Sequence, residues 1–406
     1  MTKTPSDFSR RRLAIFAFML TFGIGMSSWV VRTPAVRDLL DASTAEMGLV
    51  LLGLSVGSMS GVLSSASVVR RRGVRFTAMV GGANFIIGIA MIGIFAGASN
   101  HAGVFAGLAL VGFGIGVSEI AINIEGAAQE TLSGKSVMPA LHGCFSLGTV
   151  IGAVVGILLT AINFSVTWQL VLVALLGAAV LATLTRFISA ETGRVSRLPR
   201  DEKMQQPRTS WLDAWREPRI LMLGLIILAL ALAEGSAMDW LPLLMVDGHG
   251  LTPTLGSVIF AGFAAAMTIG RFLGAPLLKR FGNATVLRAS TLISAAGIAL
   301  VVFADNPIIA GAAVLLWGVG ASLGFPVTLS AAADSPDPTS AVAAVATAGY
   351  VAFLVGPPLL GFLGEEFGLR GAMILVLVVV ALASLLTNAA KSRPRKDTTE
   401  LESAAL

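Results

Sequence analysis

The chain has 406 residues, of which 55% are hydrophobic and only 13% charged, and its mean hydropathy is +0.84. A soluble domain carries roughly 25% charged residues, so this composition excludes a water-soluble protein of this size. A single cysteine, Cys144, excludes an intrachain disulfide and a cysteine metal cluster, and the three scattered histidines, His101, His142 and His249, offer no metal site.

About 20 apolar residues cross a bilayer as a helix. Such runs lie near 13–31, 45–69, 76–98, 102–127, 138–162, 166–188, 219–246, 254–278, 285–304, 308–333, 341–363 and 370–390. They predict twelve transmembrane helices in an all-α membrane protein. Strands of a barrel would alternate in polarity, whereas these runs are continuously apolar. The first run, 19 residues from Leu13, has the length of a spanning helix rather than of a signal-peptide core.

An even number of spans puts both termini on one side. That side receives 24 of the 28 Lys and Arg residues, among them Arg10–Arg12, the "RRRGVR" loop (70–75), Lys279, Arg280, Arg288 and the tail "KSRPRK". The positive-inside rule makes this basic end cytoplasmic, in a multi-pass protein of the cell (inner) membrane. The net charge of +5 is thus topology, and no nucleic acid is needed to explain it. Residues 189–218 are the one long polar interior segment. They read as a cytoplasmic linker, with a short surface helix around "SWLDAW". The expected organisation is an N-terminal six-helix bundle over 1–188, that linker, a C-terminal six-helix bundle over 219–390, and a cytoplasmic tail over 391–406.

The halves are copies. "GVLSSASVVRRRG" (61–73) and "GRFLGAPLLKRFG" (270–282) align at an offset of 209, Pro34 and Pro242 at 208, and Gly143 and Gly349 at 206. "GFG" at 112–114 and "GVG" at 318–320 repeat the 206 offset. Parallel six-span repeats belong to a large class of secondary transporters.

At this point the chain resembles the major facilitator superfamily over essentially its whole length. The family's loop between spans two and three usually reads Gly-x-Leu-x-Asp-Arg-x-Gly-Arg; here Arg70 and Lys279 occupy the acid's place in the two copies. The resemblance implies an inner gate at this loop, and we assign Arg70, Arg271 and Lys279 to gating. "GVSEIAINIEG" is similar to the fourth span of L-fucose permease-type proteins, which carry Glu-x-x-x-Asn. "SSWVVRTPAVRDLL", "LAEGSAMDWLPLL", "ASLGFPVTLSAAAD" and "AGYVAFLVGPPLLGFL" are similar to the YbjJ-type branch of that group. This likeness implies solute:proton symport. The chain departs from it in having Ile124 rather than proline after Asn123, and no acid in span one.

Acids inside these spans carry the functional signal. On span four, Gly112, Gly116, Glu119, Asn123, Gly126 and Glu130 follow one stripe of a 3.6-residue helix. Such a stripe faces a neighbouring helix or a water-filled cavity. A charge at the bilayer centre costs roughly 2.5–3.5 kcal/mol on insertion scales, and intramembrane acids mark ion and proton paths. Glu119 and, in span seven, Glu234 are the proton-coupling candidates. A structural acid, hydrogen-bonded in helix packing, is the competing reading. Glu125 is rotated roughly 120° from Glu119 at about 100° per residue and reads as structural, paired with the basic cytoplasmic loops.

Candidates for a substrate cavity are Arg32, Asn123, His142, Asp239 and Tyr350, the only tyrosine. Arg32 and Asp239 lie at similar depth in repeat-mate spans, so an ion pair closing the outer side is expected; snorkelling of both side chains is the alternative. His142 suits a proton relay or simple packing against span four. "AEGSAMDWLP" in span seven suits a broken helix, whereas "GVGASLGFPVTLSAAAD" (318–334) reads as an uninterrupted one.

No nucleotide-binding loop or catalytic constellation is legible, so no enzyme activity and no cofactor is expected. The leading reading is a monomeric secondary transporter of a small polar solute, a sugar or related metabolite, coupled to protons and working by alternating access. A proton-antiport exporter of drugs or metabolites is the alternative. A non-transporting sensor or scaffold is the third, and has no use for acids at cavity depth.

Overall fold

The computed structural model describes residues 5–133, 137–194 and 214–391, and nearly all of them are helical. Among the described residues, ten helical stretches are long and apolar enough to cross a membrane. Two of these hold two spans each. Thr44–Gly97 runs for 54 residues, which as a straight helix is about 80 Å against a hydrocarbon core of about 30 Å. It folds at Gly73, where φ is 83° and ψ 169°. Pro338–Leu386 likewise folds at Gly368, with φ 72° and ψ 157°. Divided at these glycines, the ten stretches become the twelve expected spans.

The repeat seen in the residues is also a repeat in backbone geometry. Gly282, the mate of Gly73, has φ 75° and ψ 162°, nearly the angles of Gly73. This is a region that L side chains avoid, so the motif's terminal glycine makes the same turn in both halves. At Gly73 a side chain is excluded twice over, since a Cβ there would lie 2.1 Å from the Ala190 carbonyl oxygen.

Helix starts follow from their first residues. Ser43 and Glu46 form a reciprocal capping box ahead of span two. In the C-terminal half Pro218, Pro253, Pro307 and Pro338 open their helices, a position where the missing N–H costs nothing. Thr252, Asn306 and Asp337 cap the last three. A short helix, Thr33–Leu40, follows span one and was not foreseen.

The broken helix lies in span ten rather than span seven. Pro218–His249 is continuous and carries Pro242 inside it. Span ten stops at Ala321 and restarts at Gly324. Pro326 is the cause: it offers no N–H to the carbonyl of Ser322, and its ring crowds that carbonyl. The Ser322 hydroxyl turns back to the Val319 carbonyl at 2.6 Å. The expected surface helix around "SWLDAW" falls almost wholly outside the described residues.

The halves meet tightly at the end opposite the basic loops. Gly48 of span two and Gly361 of span eleven pack so closely that a Cβ on either would come within 2.9 Å of the other's Cα. Ala45 N–H donates to Glu365 Oε2 at 3.2 Å, and the Ser257 hydroxyl to the Val31 carbonyl at 2.9 Å. Arg37, on the short helix, forms a salt bridge with Asp247 at the end of span seven.

Candidate functional site

Between the halves a cavity of about 720 Å³ runs from Glu119 and Glu234 to Asn283, the first residue of span nine at the basic end. The Arg37–Asp247 end is closed above it. Span four contributes Glu119, span seven Glu234, span eight Arg271. The interrupted span ten contributes Leu323, Phe325, Pro326 and Ser330, and span eleven Tyr350 and Phe353. The break therefore forms part of the wall. By the 206 offset Phe325 is the repeat mate of Glu119, so equivalent positions face each other as an aromatic ring and an acid.

Arg271 is the centre of the charge arrangement. Its Nη2 donates to Glu234 Oε1 at 3.0 Å; the arginine side chain is 49% exposed and the glutamate 15%. Glu119 is exposed to the cavity and interacts electrostatically with His142 and Arg271, and with Tyr350. One guanidinium therefore lines the same cavity as the acid of its own half that it pairs and an acid of the other half. Tyr350 packs edge-on against Phe325 at 6.4 Å between ring centroids, and Phe353 lies 6.5 Å from Phe325. This gives the wall an aromatic side and a charged side.

The expected stripe on span four divides. Gly112 and Gly116 pack against the backbone of span two, at Leu54 and Ser58. Below them Glu119 faces the cavity. Asn123, one turn further, is half-buried with its Oδ1 enclosed and unpaired. Gly126 packs on Met138 and Leu141 of span five, and Glu130 accepts from the backbone N–H groups of Val137 and Met138. Neither Asn123 nor His142 belongs to the cavity lining, although His142 is exposed beside Glu119.

One expectation is corrected. Arg32 does not meet Asp239. Its Nε donates to Gln169 at 2.5 Å and its Nη2 to the Phe164 carbonyl at 3.0 Å, which fastens span one to the start of span six. Asp239 is half-buried in span seven, with no ion pair among the described residues. The salt bridge joining the halves at this end is Arg37–Asp247 instead. Arg271, assigned to a gate, lies in the cavity beside Glu234; Arg70 and Lys279 are exposed at the basic end.

Glu125, fully buried, takes another path. Arg11 Nη2 and Nε donate to its Oε1 at 2.5 and 2.8 Å, and Gln129 donates to the same oxygen. The partner comes from the start of span one rather than from a loop.

Sequence reading missed Arg37, Asp247 and most of the lining. Arg37 was one of three basic residues on the sparsely charged end, a signal that it has a specific partner there.

The family profile of the Major Facilitator Superfamily matches residues 136–349 and 250–405, and that described as "Sugar (and other) transporter" matches 13–215. An uncharacterised MFS-type transporter of Yersinia pestis is 28% identical over 380 residues, 92% of this chain and 94% of its own length. The multidrug resistance protein MdtL of Escherichia coli O81 is 26% identical, over 93% and 94% of the two chains. Among solved structures, a mutant form of the nucleoside transporter NupG superposes with a TM-score of 0.77 at 13% identity, covering 94% of this chain and 99% of that one. FucP in the outward conformation gives 0.63 at 16% identity, covering 95% and 100%. Profiles and fold agree with the duplicated twelve-span architecture: this chain is an integral membrane transporter and belongs to the major facilitator superfamily.

Proposed function

We propose that the chain couples the movement of a small polar solute, a sugar or related metabolite, to protons, by alternating access of the two six-helix halves. The observation that carries this reading is the Glu119–Arg271–Glu234 arrangement across the cavity. Arg271 has a carboxylate to answer in each half. Protonating either acid changes how the guanidinium is shared, and with it the attraction between the halves. A change of about 1.4 kcal/mol shifts such a balance tenfold. Glu119 and Glu234 are the proton-coupling acids, with His142 beside Glu119 as a relay.

The solute site is the cavity, with Tyr350 and Ser330 on its wall and Asn123 one turn below Glu119. A neutral polyhydroxyl solute suits it, because Arg271 and Glu234 already neutralise each other there. The match to the sugar transporter profile supports this class. The basic end is cytoplasmic, in the inner membrane, with both termini inside. The bundles occupy 1–188 and 219–390, and the unit is a monomer. The cavity described above is then the inward-open state.

A second reading, proton-antiport export, is favoured by the Phe325–Tyr350–Phe353 cluster and by the likeness to MdtL. One experiment separates the two. The chain is reconstituted in liposomes holding a pH-sensitive dye, and panels of sugars and of aromatic cations are added outside. Symport acidifies the lumen as the solute enters; antiport makes it alkaline. No proton movement with any solute overturns both.

A further inference from the structure

A second groove lies away from the solute cavity, between spans three and six of the N-terminal half. Its volume is about 580 Å³. Met79, Ala83, Ile86 and Ile87 form one wall, and Ala178, Leu181 and Ala182 the other. Met79 is 46% and Ile87 53% exposed. Three alanines leave the trough open where larger side chains would fill it. Its floor continues into a crevice at Gly82, Gly177 and Phe85.

The basic end of this trough carries oriented cations. Arg75 Nε donates to the Ile188 carbonyl at 2.6 Å, and its Nη2 to the Arg186 carbonyl at 2.9 Å. The Arg186 guanidinium sits 4.9 Å from the centre of the Phe187 ring, and Arg10 lies 5.9 Å from the same ring. Arg72 stacks on Phe76 at 5.3 Å. Among the described residues, the acids at this end have basic neighbours. Glu125 is held by Arg11, and Glu191 lies 4.0 Å from Arg194. The cluster therefore keeps an excess of positive charge just where the apolar trough ends.

We propose that this groove binds an anionic glycerophospholipid of the surrounding bilayer, with an acyl chain against Ala83, Ala178 and Ala182 and the phosphate on Arg75 and Arg186. The match is between shape and charge: an apolar slot of membrane depth, closed at one end by guanidinium groups fixed in place. Basic pockets between spanning helices hold acidic headgroups by the same chemistry. Arginine suits the role because its planar fork meets phosphate oxygens in pairs. The bound lipid bridges span three to span six and steadies the Gly73 turn, since Arg75 also holds the 186–188 backbone.

The test is native mass spectrometry of the full chain in detergent, with palmitoyl-oleoyl phosphatidylglycerol and the matching phosphatidylcholine supplied in equal amounts. The unaltered chain is expected to retain the glycerol lipid about tenfold over the choline lipid. Arg186→Gln should bring the ratio close to one, and Arg186→Lys should restore most of the preference. Ala83→Leu with Ala182→Leu should lower retention of both lipids. Glycerol phosphate without acyl chains should not compete. A thermal unfolding midpoint equal to that of the unaltered chain confirms that the Arg186→Gln chain is folded. Equal retention of the two lipids by the unaltered chain, or a preference unchanged in Arg186→Gln and in the leucine pair, overturns the assignment. Displacement by glycerol phosphate also overturns it, in favour of a soluble phosphate ligand.

Discussion

Two Arg–Glu pairs of this transporter share their chemistry and differ in their surroundings. Arg11–Glu125 is sealed: the arginine side chain is 8% exposed and the glutamate 0%. Arg271–Glu234 borders an open cavity, which a second acid, Glu119 of the other half, also lines. In the sealed pair neither charge has anywhere else to go, so the pair acts as a staple between spans one and four. The wet pair is open to the cavity, and the proposed coupling has a proton or a solute take the place of either partner there. In the proposed mechanism, surroundings rather than residue type separate a structural acid from a working one.

The largest expected effect tests the sealed pair. Arg11→Met leaves Glu125 charged and buried, and should cost about 3–5 kcal/mol in thermal unfolding. Arg11→Met combined with Glu125→Leu should recover most of that loss, because removing both charges removes the penalty. Arg271→Met should cost less, since the Glu234 it leaves unpaired borders the open cavity, where water or a proton can take up its charge. Equal losses at the two pairs would break the comparison.

The next effect is on coupling. Glu119→Gln and Glu234→Gln should each lower solute-driven proton flux in liposomes by about tenfold or more, about 1.4 kcal/mol of coupling at the least. Glu125→Gln should leave flux per folded molecule unchanged. If Glu119→Gln keeps its coupling while Glu125→Gln loses it, the roles are reversed.

The smallest effect concerns the closed end. Removing the partly exposed Arg37–Asp247 pair with Arg37→Ala should cost on the order of 1 kcal/mol, a shift of about fivefold toward opening at that end. Distances between spin labels placed across the two halves read this shift. The exchange of Arg37→Asp with Asp247→Arg should reverse it, and a swap that fails to do so would remove the pair from the gate.

Much of this was legible in the residues. Twelve apolar runs and a 209-residue offset give twelve spans in two copies, because lipid allows little besides continuous helices. The lone acids Glu119 and Glu234 were legible for the same reason, since their cost in lipid marks them. Partners were harder. Sequence gives the depth of a charge along its span, but not the rotation of the helix or the turn of the chain at its end. Arg32 has the depth of Asp239, yet the chain turns at Arg32 into the helix Thr33–Leu40, and its side chain meets Gln169. Arg37 on that unforeseen helix takes the cross-half contact. Helix breaks were misplaced for a related reason. Span seven keeps Pro242 without interruption, whereas Pro326 follows Gly324 closely and breaks span ten.

Coupling through Glu119 and Glu234 requires a cavity that is wet from the basic end and shut from the other. Ser330, on its wall and exposed, reports this directly when replaced by cysteine in a Cys144→Ser background. A membrane-impermeant maleimide is applied from each side of sealed vesicles of known orientation. Rapid modification is expected from the side bearing the basic end, and slow modification from the other. Modification from neither side, or faster modification from the Arg37–Asp247 side, would contradict such a cavity.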